Sequence, residues 1–492
     1  MNWGKVFGVS CVLCLGARPL AAQETNSVEQ LKKQLQQLQS DFQKTEQRQR
    51  QQIDALQKQI EALQQAALTN QSVAAVAAPS AGAPATQTWS PTAPIRLGSA
   101  QNYINLSFDA LVAAGASTAN DIDKLELGGH DPKQRGFTVQ NLETVFDGKV
   151  DPYFRGQANV VLQIDTQGET TIEAEEAYLE TMALPWNLQV KAGQFFTEFG
   201  RLNPTHPHTW DFADQPLVNG RFLGEDGLRS AGVRLSWLAP TPFYSELLMT
   251  VANSQGGTAF SFRNDHEGEP FFGRPNIDRG VKTPGDMLFV PRYVASFNLT
   301  DAQTLVTGAS AAFGPNNSGS DTDTQIYGVD LFWKWKSPQQ HAGFPFVTWQ
   351  TEAMMRRFKA GFFNGDSDGN GILDPGEQDL NGDGVPDVLP RETLTDYGVY
   401  SQIAYGIRKG WVAALRGDYV FPEQRAVYES IIGSDPDRAS RYRISPNLTY
   451  YPSEFSKIRL QYNYDHRHGI GDDHSVWVQF EFLLGTHAAH KF

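Results

Sequence analysis

The chain has 492 residues and carries 41 Lys plus Arg against 55 Asp plus Glu, for a formal net charge of −14. An acidic balance of this kind argues against a protein that grips nucleic-acid phosphates. Its two cysteines, Cys11 and Cys14, leave no disulfide framework and no cysteine-rich zinc site for the rest of the sequence.

Residues 1–22 read as a secretory signal peptide: Lys5 is the positive start, 6–16 the apolar stretch, and Leu20-Ala21-Ala22 the small residues at a cut site. Residues 23–68 are rich in Gln, Lys and Glu. Their few apolar residues are spaced three and four apart: Val28, Leu31, Leu35, Leu38 and Phe42, then Ile53, Leu56, Ile60 and Leu63. This is the a/d seam of a short α-helical coiled coil, with a phase shift over 45–52. So narrow a seam cannot bury itself in one copy, so it predicts self-association, for which a homo-trimer is suitable. Residues 69–95, dominated by Ala, Pro, Ser and Thr, read as a flexible linker. After the N-terminus, no apolar run is long enough for a transmembrane helix.

Over 96–492 the apolar period falls to two. Ile104, Leu106, Phe108, Ala110 and Val112 alternate with Asn105, Ser107 and Asp109; Tyr327, Val329, Leu331, Trp333 and Trp335 alternate with Asp330, Lys334 and Lys336. Sixteen such segments are predicted: 102–117, 136–150, 153–166, 170–183, 187–199, 228–238, 242–252, 292–300, 302–313, 323–336, 346–358, 394–407, 410–421, 438–452, 455–466 and 473–484. Short connections alternate with long ones at 200–227, 253–291 and 359–393, and Trp186, Trp237, Trp411, Tyr450 and Tyr451 fall near segment ends, as interfacial girdles do. In lipid every backbone amide needs a partner, so an exported chain without apolar helices can span only as a closed barrel. The predicted fold is all-β: a 16-stranded antiparallel transmembrane β-barrel preceded by the coiled coil, in the outer membrane of a Gram-negative bacterium with the coiled coil in the periplasm. A soluble sandwich or propeller shows the same alternation; the signal peptide, strand length, turn asymmetry and terminal Phe492 favour the barrel.

This architecture, with Lys191-Ala192-Gly193-Gln194-Phe195 leading into a long third external loop, resembles trimeric porins, above all the phosphate-selective porin O and P family. Sugar-selective porins with a leading coiled coil are a second likeness. The resemblance implies a water-filled channel, although a last strand ending near Leu484, before a short tail, departs from the family pattern.

In a barrel this wide, selectivity comes from a loop folded inward. The candidate is the connection after the fifth segment, with His206, His208, Asp211, Asp214, Arg221, Glu225, Asp226 and Arg229 as constriction residues. His206 and His208, in a polar loop, read as solvated rather than metal-binding, as do His466, His468 and His474. With apolar residues toward lipid, Arg416, Arg441, Arg443, Lys457 and Arg459 point inward as a basic pore wall that would attract anions. Asp109, Asp330, Glu352, Asp418, Asp465 and Glu481 also point inward. Residues 96–492 hold 33 basic and 49 acidic residues, so no phosphate specificity is read from the wall.

Residues 366–377 match a twelve-residue calcium loop, with oxygen ligands at Asp366, Asp368, Asn370, the Ile372 carbonyl, Asp374 and Glu377, and Gly371 at the sharp turn. A second, incomplete copy starts at Asp379. A structural calcium in an external loop is expected. No Ser/His/acid set has interpretable spacing, so no enzyme is predicted. The leading expectation is a porin passing small hydrophilic solutes or ions, set in outer-membrane lipid. The alternative is a structural anchor whose coiled coil tethers peptidoglycan.

Overall fold

The structure, a computed structural model, describes residues 95–98, 102–149, 151–264, 266, 269–277 and 279–485. The expected signal peptide and coiled coil, nearly all of the expected linker, and Phe492 lie outside the described residues. The strands are β1 (Ile95–Gly98), β2 (Tyr103–Ser117), β3 (Gly136–Lys149), β4 (Phe154–Ile164), β5 (Thr170–Thr181), β6 (Leu188–Phe196), β7 (Arg229–Leu238), β8 (Tyr244–Ala252), β9 (Leu288–Thr300), β10 (Gln303–Pro315), β11 (Asp323–His341), β12 (Phe344–Ala360), β13 (Phe363–Asn364), β14 (Val388–Leu389), β15 (Glu392–Arg408), β16 (Trp411–Pro422), β17 (Arg441–Ser453), β18 (Ser456–Arg467) and β19 (Gly471–Leu484).

Sixteen of them, β2–β12 and β15–β19, form a closed antiparallel barrel, and β19 returns to β2 through Ser475 opposite Ser117 down to Leu484 opposite Phe108. Beyond that point β1 takes over the β2 edge, pairing Ile95 with Leu106. All sixteen predicted segments are strands. β9 starts at Leu288 rather than 292, because Pro291 lies within the strand opposite Met249 instead of breaking it. β11 runs on to His341, through Ser337 and Pro338, which resemble a turn in sequence.

The period of two sorts the side chains. Val329, Ile403, Leu415, Leu460 and Phe480 lie on the outer surface, each more than 40% exposed without lipid. Their neighbours Asp330, Gln402, Arg416, Arg459 and Gln479 are buried on the lumen side. Keeping an aliphatic side chain from water contributes roughly 1.5–3 kcal/mol, so such an exterior is stable only against hydrocarbon. Among the described residues no helix is long and apolar enough to cross a membrane.

Two long connections enter the barrel. One, 118–135, carries α1 (Ile122–Leu125), whose Ile122 and Leu125 pack with Ala119 on Trp477. The other, 197–228, carries α2 (Leu217–Leu223). Its Leu217, Val218, Phe222 and Leu223 join Phe199 and Leu228 in an apolar cluster with Leu288, Val290, Ala312, Ile326, Met354, Tyr400 and Val420. The lumen side of β9–β12, β15 and β16 is therefore not uniformly polar, because α2 with Phe199 and Phe262, rather than water, covers its outer half. Gly398 permits this approach: a Cβ there would lie 2.3 Å from Val218 Cγ2.

Candidate functional site

The connection 197–228 crosses the lumen and is fastened at both sides. Gly200 turns the chain off the wall with φ +62°, and a Cβ there would sit 2.1 Å from Glu352 Oε2. Glu352 on β12 accepts the Arg201 and Leu202 amides at 3.0 and 2.8 Å. The Asn203 side chain closes the neck by donating to the Thr197 and Leu228 carbonyls. On the far wall Lys457 donates to the His208 carbonyl at 2.7 Å, Arg459 to the Trp210 carbonyl at 2.8 Å, and Asn447 to the Asp211 carbonyl at 2.9 Å. Asp418 accepts the Leu217 amide at 3.1 Å.

The predicted constriction residues separate into three groups. Asp214 lies at the centre: its Oδ2 is 2.6 Å from Arg416 Nη2 and also pairs with Arg443, while Gln461 donates to its Oδ1. Asp211 takes a hydrogen bond from Gln402 at 3.2 Å, and Arg221 donates to the Ala439 carbonyl at 2.7 Å. His206 and His208, expected to be solvated, are 8% and 3% exposed and face acids of β2, β3 and β5. Glu225, Asp226 and Arg229 stand toward the outer mouth: Glu225 near Lys133, Asp226 beside Gly129, and Arg229 paired with Glu173.

The basic wall residues point inward, but four of the five are ion-paired. Arg416 holds Asp418 at 2.7 Å, Arg441 holds Asp465 at 2.7 Å, Arg443 holds Asp465 at 2.9 Å and Glu126 at 2.6 Å, and Lys457 pairs with Glu481. Arg459 donates instead to Gln479 at 2.7 Å and Thr449 at 3.0 Å. The wall is thus largely neutralised by acids of its own strands and of the two inward connections.

Sequence reasoning missed Glu126, Glu143, Glu175 and Glu176. Glu126 sits in the 118–135 connection, which carries no charge pattern that singles it out. Glu143, Glu175 and Glu176 are brought together by β-bulges. Between β4 and β5, Asn159 opposes Glu176 and Val160 opposes Ala174, so Glu175 is extra and both glutamates are buried. Between β2 and β3, Leu111 opposes Asn141 and Val112 opposes Val139, which turns both Gln140 and Asn141 inward. The doubled polar residues within alternating strands are the signal that was available.

Above the crossing connection a cavity of about 260 Å³ opens among Lys133, Gln134, Gln140, Gln163, Glu225 and Asp226. Below it, inward residues near the short turns are solvent-accessible, including Arg155, Asn298, Lys334 and Lys336. Wet space therefore approaches the crossing from both ends.

The predicted calcium residues lie outside the wall, in the connection pinned by the β13–β14 pair. Asp366 accepts the Gly369 and Gly371 amides at 2.7 and 3.0 Å, and Glu377 reaches back to the Ser367 and Asp374 amides at 2.6 and 3.0 Å. Carboxylate oxygens of Asp366, Asp368 and Glu377 come within 4.8 Å of one another. The Asp374 amide holds the Glu377 carboxyl below the ordinary carboxylate range, and the Gly384 amide does the same to Asp379 in the second copy. Asn370 Nδ2 bonds Asp368 at 2.7 Å and Asp374 at 3.1 Å. Ile372 is exposed.

No family model matches the chain. A curated protein of Aquifex aeolicus (strain VF5), described as uncharacterized, is 31% identical over 386 residues, 74% of this chain and 73% of that protein. Among solved structures, the outer membrane channel DcaP of Acinetobacter baumannii aligns with a TM-score of 0.50 and 13% identity, over 80% of this chain and 100% of the solved chain. At that identity the likeness establishes a shared barrel fold.

Proposed function

The chain belongs to the same family as the Aquifex aeolicus protein, and from the barrel's geometry and its fold likeness to an outer membrane channel we propose an outer-membrane porin for small hydrophilic solutes or ions. One observation carries the proposal: a closed sixteen-strand wall, apolar outside, has its lumen crossed by 197–228 with wet space on either side. The crossing segment acts as the constriction, with His206, His208, Asp211, Asp214 and Arg221 at its core and Glu225, Asp226 and Arg229 at its outer approach. Because Arg416, Arg441, Arg443 and Lys457 are already paired, the wall favours no anion and the phosphate-selective likeness is one of architecture rather than substrate. Purified protein in planar bilayers is expected to give ohmic steps of small conductance, with a reversal potential that shows no strong anion preference in a salt gradient. Absence of steps defeats the proposal.

That outcome supports the second reading, favoured by the packed contact of α2 with the wall: a barrel that only anchors a periplasmic tether to peptidoglycan. The seam in 23–68 supports a homo-trimer, tested by cross-linking with and without that segment. The paired carboxylates of 366–377 support a structural calcium held by Asp366, Asp368, Asn370, the Ile372 carbonyl, Asp374 and Glu377.

A further inference from the structure

Where the crossing segment meets β2, β3 and β5, a cluster forms that conduction does not require. The rings of His206 and His208 stack at 5.8 Å with 18° between their planes. His206 Nδ1 lies 2.9 Å from Glu175 Oε2 and 3.3 Å from Glu143 Oε1. His208 Nδ1 lies 3.5 Å from Glu143 Oε2 and 3.7 Å from Asp109 Oδ2. Two sets of three ligand atoms result, each set within 4.8 Å of mutual separation, and Glu143 belongs to both with one oxygen toward each.

Three further observations set this cluster apart from a salt-linked patch. Asp109, Glu143, Glu175 and Glu176 are 2%, 0%, 2% and 6% exposed, and among the described residues their ion pairs are to histidines, not to Lys or Arg. Two divalent cations bound through neutral imidazoles would compensate these four carboxylates. Next, His206 Nδ1 and Glu175 Oε2 approach closely yet neither satisfies hydrogen-bond geometry with any partner among the described residues. Two lone pairs directed at a third body behave in this way. Finally, the surroundings orient the donors. Glu176 Oε2 engages His206 Nε2 at 3.0 Å, so in the Nε2–H tautomer the Nδ1 lone pair is open to a metal ion. Asn159 donates to Glu143 Oε1 at 2.5 Å, and Asn141 donates to Asp109 and Glu143 at 3.1 and 3.2 Å. Both bulges described above lie here, and a void of about 20 Å³, enough for one water, adjoins Glu175 and Pro207.

We propose that this cluster is a dinuclear site for divalent first-row transition ions, bridged by Glu143, with Glu175 and His206 on one ion and Asp109 and His208 on the other. Imidazole nitrogens mixed with carboxylates select such ions over calcium or magnesium, which take oxygen alone. The ions cross-link the crossing segment to three wall strands. Metal occupancy therefore sets how firmly the segment is held, whatever the barrel conducts.

The test uses the whole protein in detergent, stripped by chelator and dialysed against Co²⁺ with excess Ca²⁺ present to saturate any calcium loop. Two cobalt ions per chain are expected, with the visible absorption of imidazole-ligated cobalt. E143Q loses both ions and H208Q loses one. Heat-modifiable gel migration reports whether each variant has an assembled barrel. Fewer than two ions on the wild type overturns the proposal without any variant. Full loading of assembled E143Q or H208Q overturns it as well.

Discussion

Arg443 is the charge on which both inward connections converge. Its Nη1 bonds Glu126 Oε2 at 2.6 Å and pairs with Asp214, its Nε meets Asp465 at 2.9 Å, and its Nη2 reaches the Leu125 carbonyl at 3.1 Å. Arg443→Met keeps the chain length and removes the charge. Asp214 would retain Arg416 and Asp465 would retain Arg441, but Glu126, 0% exposed, has no other cationic partner among the described residues. Removing one partner of a buried pair costs about 3–5 kcal/mol, and the single orphaned carboxylate sets that scale here. Denaturant unfolding in detergent measures the loss. Glu126→Gln in the same chain removes the orphan, so the double variant recovers more than about 1 kcal/mol relative to R443M. Single-channel current rises in R443M, because 118–135 and 197–228 both lose a tie to β17. An R443M stability within about 1 kcal/mol of wild type, or no recovery on adding E126Q, refutes the network as the anchor of the two connections.

Ile403→Arg places a charge on the lipid face of β15 and lowers barrel stability by about 2–4 kcal/mol in refolding into vesicles if the residue sits near mid-membrane. Glu377→Gln removes the twelfth-position carboxylate of 366–377 and abolishes calcium-dependent protection of 361–391 from protease; protection equal to wild type excludes calcium from that loop. Asp121 lies in the 118–135 connection, and the hydrogen bonds from Arg467, at 2.8 Å to each oxygen, hold its carboxyl below the ordinary carboxylate range. A depressed carboxyl contributes stability that is present above its unfolded pKa and is lost as pH falls through the lower, folded one. The stability difference between wild type and D121N is therefore constant near neutrality and vanishes in acid; a difference that persists at the lowest pH reached sinks the link.

The wall was legible because strand alternation is local: each segment carries its own lipid face, whatever its partner. The crossing segment was legible in outline, since a long connection with both charge signs among apolar residues cannot all stay in water. Its partners were not. Arg443 and Glu126 are 317 residues apart, and only closure of β19 on β2 brings them together. Acids of the same and adjacent strands, with those of the inward connections, turned four of the five basic residues from an open wall into a paired one. A period of two also assigns every second residue to lipid, so it fails at a bulge. By strict alternation one of Glu175 and Glu176 would face hydrocarbon at prohibitive cost. Two adjacent glutamates in a spanning strand therefore demand a local break in register, and a barrel that retains such a break has a reason to hold both carboxylates inward. His206 and His208, two positions apart across a proline, supply that reason: the break and the histidines complete one another, and neither is accounted for by the wall alone.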